Sequence, residues 1–193
     1  MNSKKMETKT LVLGAVLTAL VVLLQFMGAF IKFGPFSISL VLIPIVIGAA
    51  TSGIIIGGWL GFVFGLSVLL SGDAGPFLAV NILGTIITVL VKGILAGVFA
   101  GLVFKALEEV NLYVAVIASA IVCPLVNTGV FLVGCFIFFM ETVAEWANQA
   151  GFGGNAGKYM IFVLVGGNFI FELLSNIILS PVIVRLLNIR KKL

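Results

Sequence analysis

The sequence predicts an all-α integral membrane protein: one domain, residues 1–193, folded as a bundle of six transmembrane helices with N and C termini cytoplasmic. Three observations predict it. Of 193 residues, 62% are hydrophobic and only 9% charged, whereas soluble domains carry about 25% charged residues. The apolar residues fall in runs near the length of about 20 that a bilayer requires. The positive charge gathers at the ends, in Lys4, Lys5 and Lys9 and in Arg185, Arg190, Lys191 and Lys192. Cytoplasmic flanks carry such an excess, so the net charge of +4 reads as an orientation signal and not as a nucleic-acid partner. The expected location is the cell membrane, multi-pass.

The first span is expected over Thr10–Ile31. It is longer than a signal-peptide core and no small-x-small cleavage site follows, so it is expected to be retained. A link with Lys32, Gly34 and Pro35 leads to the second span, Ser39–Ala50, which has only about a dozen clearly apolar residues and which Pro44 should kink or shorten. After Thr51-Ser52-Gly53 comes the third span, Ile54–Leu70. The Ser71–Val80 segment, with Gly72, Asp73, Gly75 and Pro76, reads as a polar turn. The fourth span, Ala79–Leu107, ends at Glu108-Glu109. The fifth, Leu112–Met140, contains Pro124. Glu141–Lys158, with Gly151, Gly153, Gly154 and Gly157, is expected to be a loop. The sixth is Tyr159–Leu187, with Pro181 near its end. The links near Lys32, Asp73 and Glu141–Lys158 would then face outward, and those at Thr51–Gly53 and Lys105–Asn111 inward.

Small residues recur every fourth position: Gly53, Gly57, Gly61 and Gly65 on the third span, Gly93, Gly97 and Gly101 on the fourth. Lipid supplies no hydrophobic drive between helices, so close backbone approach at such ridges is the expected packing device. On the first span Gly14, Ala15, Thr18 and Ala19 form another patch, centred on Ala15-x-x-x-Ala19. It is either one more internal ridge or a docking surface.

Polar residues inside the spans point to a site. Asn81, Thr85, Thr88 and Lys92 share one face of the fourth span. A lysine at a helix centre costs about 2.5–3.5 kcal/mol on insertion scales and is normally turned from lipid towards a partner, ligand or water. Asn168, Glu172 and Asn176 share a face of the sixth span, with Glu172 at a depth similar to Lys92. Two readings stay open: a buried Lys92–Glu172 ion pair that pins two helices, or a solvent-reached cavity that binds substrate. Asn127, beside Thr128 and one turn after Pro124, suits a pocket wall. The candidate substrate-binding set is Lys92, Asn81, Thr85, Asn127, Asn168 and Glu172, with Gln25 in the outer half of the first span. A lone cation on a polar stripe suits a small anionic, hydrogen-bonding solute. A flavin or pterin would favour aromatic walls, but Trp and Tyr number 2 each and the 17 Phe are spread mostly through lipid-facing runs.

Other classes are disfavoured. With His 0, a histidine metal site or proton relay is excluded. Cys123 and Cys135 stand about 18 Å apart along one helix, too far to bridge, and are expected to pack. No phosphate-cradling loop is present, so the chain cannot itself use ATP. No nucleophile–base pair or metal-ligand set points to an enzyme, and no cofactor is implied. An ion-coupled secondary transporter acting alone is the alternative class, although Glu172 is the only clear mid-span acid for its relay.

Taken together, the chain resembles the substrate-binding S components of energy-coupling factor (ECF) transporters. The resemblance covers nearly the whole chain. It rests on length, six spans, the Ala15-x-x-x-Ala19 motif, the segment FGPFSISLVLIPIVIGA, the glycine-rich third span and SGDAGPFLAVNILGT. It implies a high-affinity capture subunit for a vitamin, working with a transmembrane coupling subunit and two ATPase subunits. Ala15 and Ala19 would then dock on the coupling subunit. SGDAGPFLAVNILGT looks most like the pantothenate S components, which puts Lys92 on the carboxylate and the other five residues on the remaining polar groups. Folate, riboflavin and cobalamin are the alternative vitamins.

Overall fold

In lipid the backbone has no water to bond, so each apolar run must close its own hydrogen bonds as helix. The computed structural model describes residues 8–30, 32–33, 36–37 and 40–192. Five of its helical stretches are long and apolar enough to cross a membrane. They are α1 (Thr8–Phe30), α3 (Ile54–Ser71), α5 (Ile82–Leu107), α6 (Leu112–Phe138) and the run Ala156–Asn188. That last run is built from α8 (Ala156–Tyr159), a π-helical turn (Met160–Val165) and α9 (Gly166–Lys192).

The second expected span differs. It is α2 (Leu42–Ser52), with 11 residues, or roughly 16 Å of rise against a hydrocarbon core of about 30 Å. Pro44 does not kink it. The proline sits in the first turn, where its missing N–H is not needed. Leu42, Ile45, Val46 and Ala49 are buried, and α2 touches α1, α3, α5, α6 and α9. It is a short apolar helix enclosed by the core and below membrane length. Gly53, with φ 90°, turns the chain from α2 into α3 through a conformation that suits glycine.

The glycine ridges lie inside, between α3 and α5. Gly57 faces the backbone of Gly97, Gly61 that of Gly93, and Gly65 that of Val89. Helix α6 joins α5 through Ser119, whose Oγ donates to the Ala100 carbonyl at 2.9 Å, and α9 packs on α6. On α1, Gly14 and Leu17 point inward, while Ala15 and Ala19 are exposed. Among the described residues, the Ala15–Ala19 face is therefore open.

Two connecting segments are more ordered than expected. The expected loop Glu141–Lys158 carries α7 (Met140–Gln149). Its residues Val143 and Ala147 are fully buried four positions apart, the spacing of a helix face seated on a core. The Ser71–Val80 turn contains a one-turn helix, α4 (Gly75–Leu78), with Pro76 at its start. Lys32–Phe33 and Phe36–Ser37 form a minimal antiparallel pair, β1 and β2, which an all-helical expectation omitted. Lys4, Lys5, Gly34, Pro35 and Ser39, and the side chains of Arg190, Lys191 and Lys192, lie outside the described residues.

Candidate functional site

A cavity of about 530 Å³ opens among α3, α5, α6 and α9, beneath the 73–77 and 139–159 segments. Helix α5 supplies Thr85, Thr88, Val89 and Lys92 because these positions share one face. Helix α6 supplies Asn127, Thr128 and Phe131, and α9 supplies Asn168 and Glu172. Phe64 and Val68 come from α3, and Gln25 from α1.

Lys92 is only partly buried despite its place in mid-span, because it faces this space and not lipid. Its Nζ lies 5.4 Å from the ring centres of both Phe64 and Phe131, within the range of cation–π attraction. Among the described residues, Lys92 and Glu172 do not form an ion pair. The Glu172 carboxylate is held elsewhere. Asn168 Nδ2 donates to Oε1 at 3.1 Å and Asn127 Nδ2 to Oε2 at 3.5 Å. On the next turn Asn176 Nδ2 donates to the Glu172 carbonyl at 2.8 Å. Glu172 is 1% exposed, so the amides of two helices fix its direction. Three lining atoms, Thr88 Oγ1 and the Oδ1 atoms of Asn127 and Asn168, are buried without a hydrogen-bond partner. Unpaired polar atoms of this kind are rare in folded proteins and ask for an explanation, such as a bound solute or water.

At the mouth, Gln25 Nε2 donates to Asp73 Oδ2 at 2.6 Å and to Ser71 Oγ at 3.2 Å, tying α1 to the α3–α4 link. Phe77 sits between Phe131, Phe139 and Trp146, edge to face, with centroid distances of 5.6, 5.1 and 5.3 Å. These rings bring α4, α6 and α7 together over the cavity.

Of the sequence-predicted residues, Lys92, Thr85, Asn127, Asn168 and Glu172 line this one cavity. Asn81 does not. It caps α5, its Oδ1 accepting from the Gly84 N–H at 2.9 Å, and it lies on a separate groove with Leu78–Leu83 and Ile137–Thr142. Asparagine is a favoured N-cap, and the break between α4 and α5 leaves donors that need one. The aromatic wall was not foreseen: Phe64, Phe77, Phe131, Phe139, Trp146 and Tyr159 all line the cavity. Counting Trp and Tyr therefore gave no guide to its walls. Thr88 was visible on the Asn81–Lys92 stripe, whereas the aromatics come from five separate segments and share no periodic signal.

Residues 9–187 match the family model described as "ECF transporter, substrate-specific component". The chain belongs to this family. No curated protein and no solved structure matches it. An S component is a transport subunit and not an enzyme. It captures a small molecule for an importer whose coupling and ATPase subunits are separate chains. The multiple membrane-length helices of this S component agree with a multi-pass membrane protein.

Proposed function

We propose that this S component captures pantothenate, with Lys92 receiving the carboxylate. The observation that carries the reading is the Lys92 amine, mid-span, facing a cavity between two phenyl rings with no carboxylate paired to it among the described residues. A cation in that position favours an anionic solute, because a desolvated charge gains most from a partner it can bond. The volume of about 530 Å³ lies in the range that holds small ligands, about 300–1,000 Å³. Cobalamin is much larger than that space. Pantothenate offers a carboxylate for Lys92, an amide and hydroxyls for Thr85, Asn127, Asn168 and Glu172, and a dimethyl-substituted carbon for the aromatic wall. The cavity mouth faces outward, the termini lie in the cytoplasm, and the exposed Ala15 and Ala19 dock on the coupling subunit of the cell-membrane complex.

Family membership favours this reading over an ion-coupled transporter acting alone. Isothermal titration of the purified chain in detergent tests it. Saturable one-to-one binding of pantothenate is expected. If pantothenate fails to bind while folate or riboflavin binds, the vitamin is misassigned. If gradient-driven uptake occurs in vesicles holding only this chain, the capture-subunit reading fails.

A further inference from the structure

We propose that Glu172 makes the cavity a charge filter, admitting a singly charged anion and rejecting the same solute once it carries a phosphate. The inference rests on the capture reading above. Among the described residues, three charged side chains line the cavity: one cation, Lys92, and two carboxylates, Asp73 at the mouth and Glu172 at depth. A single carboxylate on the solute uses the one cation. Any further negative group finds no second cation among the described lining residues, and at depth it meets Glu172.

Glu172 cannot swing away to relieve that contact. Both carboxylate oxygens accept from amides, one on its own helix and one on α6, and its surface is enclosed. A carboxylate bonded in this way receives a donor group from the solute, a hydroxyl or N–H, and repels an anion. Phosphorylation of a vitamin converts such a hydroxyl into a group carrying about −1.5 to −2 charges. Placed beside a fixed carboxylate in a low-dielectric site, like charges cost several kcal/mol. The free vitamin is thereby separated from its phosphate ester.

The experiment compares pantothenate with phosphopantothenate on the full chain by isothermal titration. Pantothenate is expected to bind at least about a hundredfold more tightly than its phosphate ester. In Glu172→Gln, which keeps the shape and removes the charge, the gap is expected to shrink to about tenfold or less. Equal affinities overturn the filter and leave vitamin capture standing. An undiminished gap in a folded Glu172→Gln protein removes Glu172 from the role. No binding of pantothenate overturns both proposals.

Discussion

Gly61→Ala joins the packing of the bundle to the position of the site. A Cβ at Gly61 would overlap the carbonyl of Gly93, the residue after Lys92, and come within 3.1 Å of the Ile94 nitrogen. At the neighbouring ridge positions a Cβ on Gly57 would stand 2.6 Å from the Gly97 oxygen, and one on Gly65 2.8 Å from the Val89 oxygen. Ordinary contact begins at 3.4 Å. Those two positions would therefore need α3 and α5 to part by about 0.6–0.8 Å, and Gly61 by more, since its overlap is deeper; all three obstacles are backbone and cannot rotate aside. Overpacking of this kind costs about 1–3 kcal/mol, which for a chain of this size lowers the melting temperature by roughly 2–12 °C. Parting the helices also moves Lys92 away from Phe64, so substrate affinity should fall by about tenfold or more, as misplacement of about 1 Å at a site commonly does. Thermal unfolding in detergent and isothermal titration measure both effects. Gly129→Ala is the control: it sits within α6 with open space around it and should leave stability unchanged or raise it by up to about 1 kcal/mol. If Gly61→Ala matches wild type in melting temperature and affinity, α3 and α5 do not meet backbone to backbone and the account of the ridge is wrong.

Three other outcomes follow from the site. Lys92→Met should weaken pantothenate binding by about 10- to 150-fold, the worth of a charged hydrogen bond, without lowering the melting temperature, because a costly mid-span charge is removed; retained affinity by titration refutes its role. Phe77→Ala removes three edge-to-face contacts, each worth about 0.5–1.5 kcal/mol, and should speed substrate release by at least about fivefold in stopped-flow; an unchanged off-rate means these rings do not cover the ligand. Ala15→Trp should abolish ATP-driven uptake by the reconstituted complex while titration shows intact binding, since Ala15 is exposed; loss of binding as well would show that this face supports the fold.

The bundle and much of the site could be read in the sequence, for identifiable reasons. Helical periodicity is a local property, so Thr85, Thr88 and Lys92 announce a shared face from their spacing alone, as do Asn168 and Glu172. The glycine repeats likewise declare ridges, because only close backbone approach uses such a pattern. Asn81 follows the same spacing but serves as a cap, since a helix end four residues earlier than Thr85 gives its oxygen a nearer partner.

The sequence alone determined that this chain lives in a membrane, which faces are polar, and which family it belongs to, because these depend on composition, spacing and motif. Tertiary structure decided the rest. It made Leu42–Ser52 a short buried helix, since five neighbouring helices surround it. It also placed Phe64, Phe77, Phe131 and Trp146 on one cavity and turned Glu172 to the amides of Asn127 and Asn168 rather than to Lys92. Residues far apart in the chain meet only when the helices choose their neighbours, and no single helix carries that information.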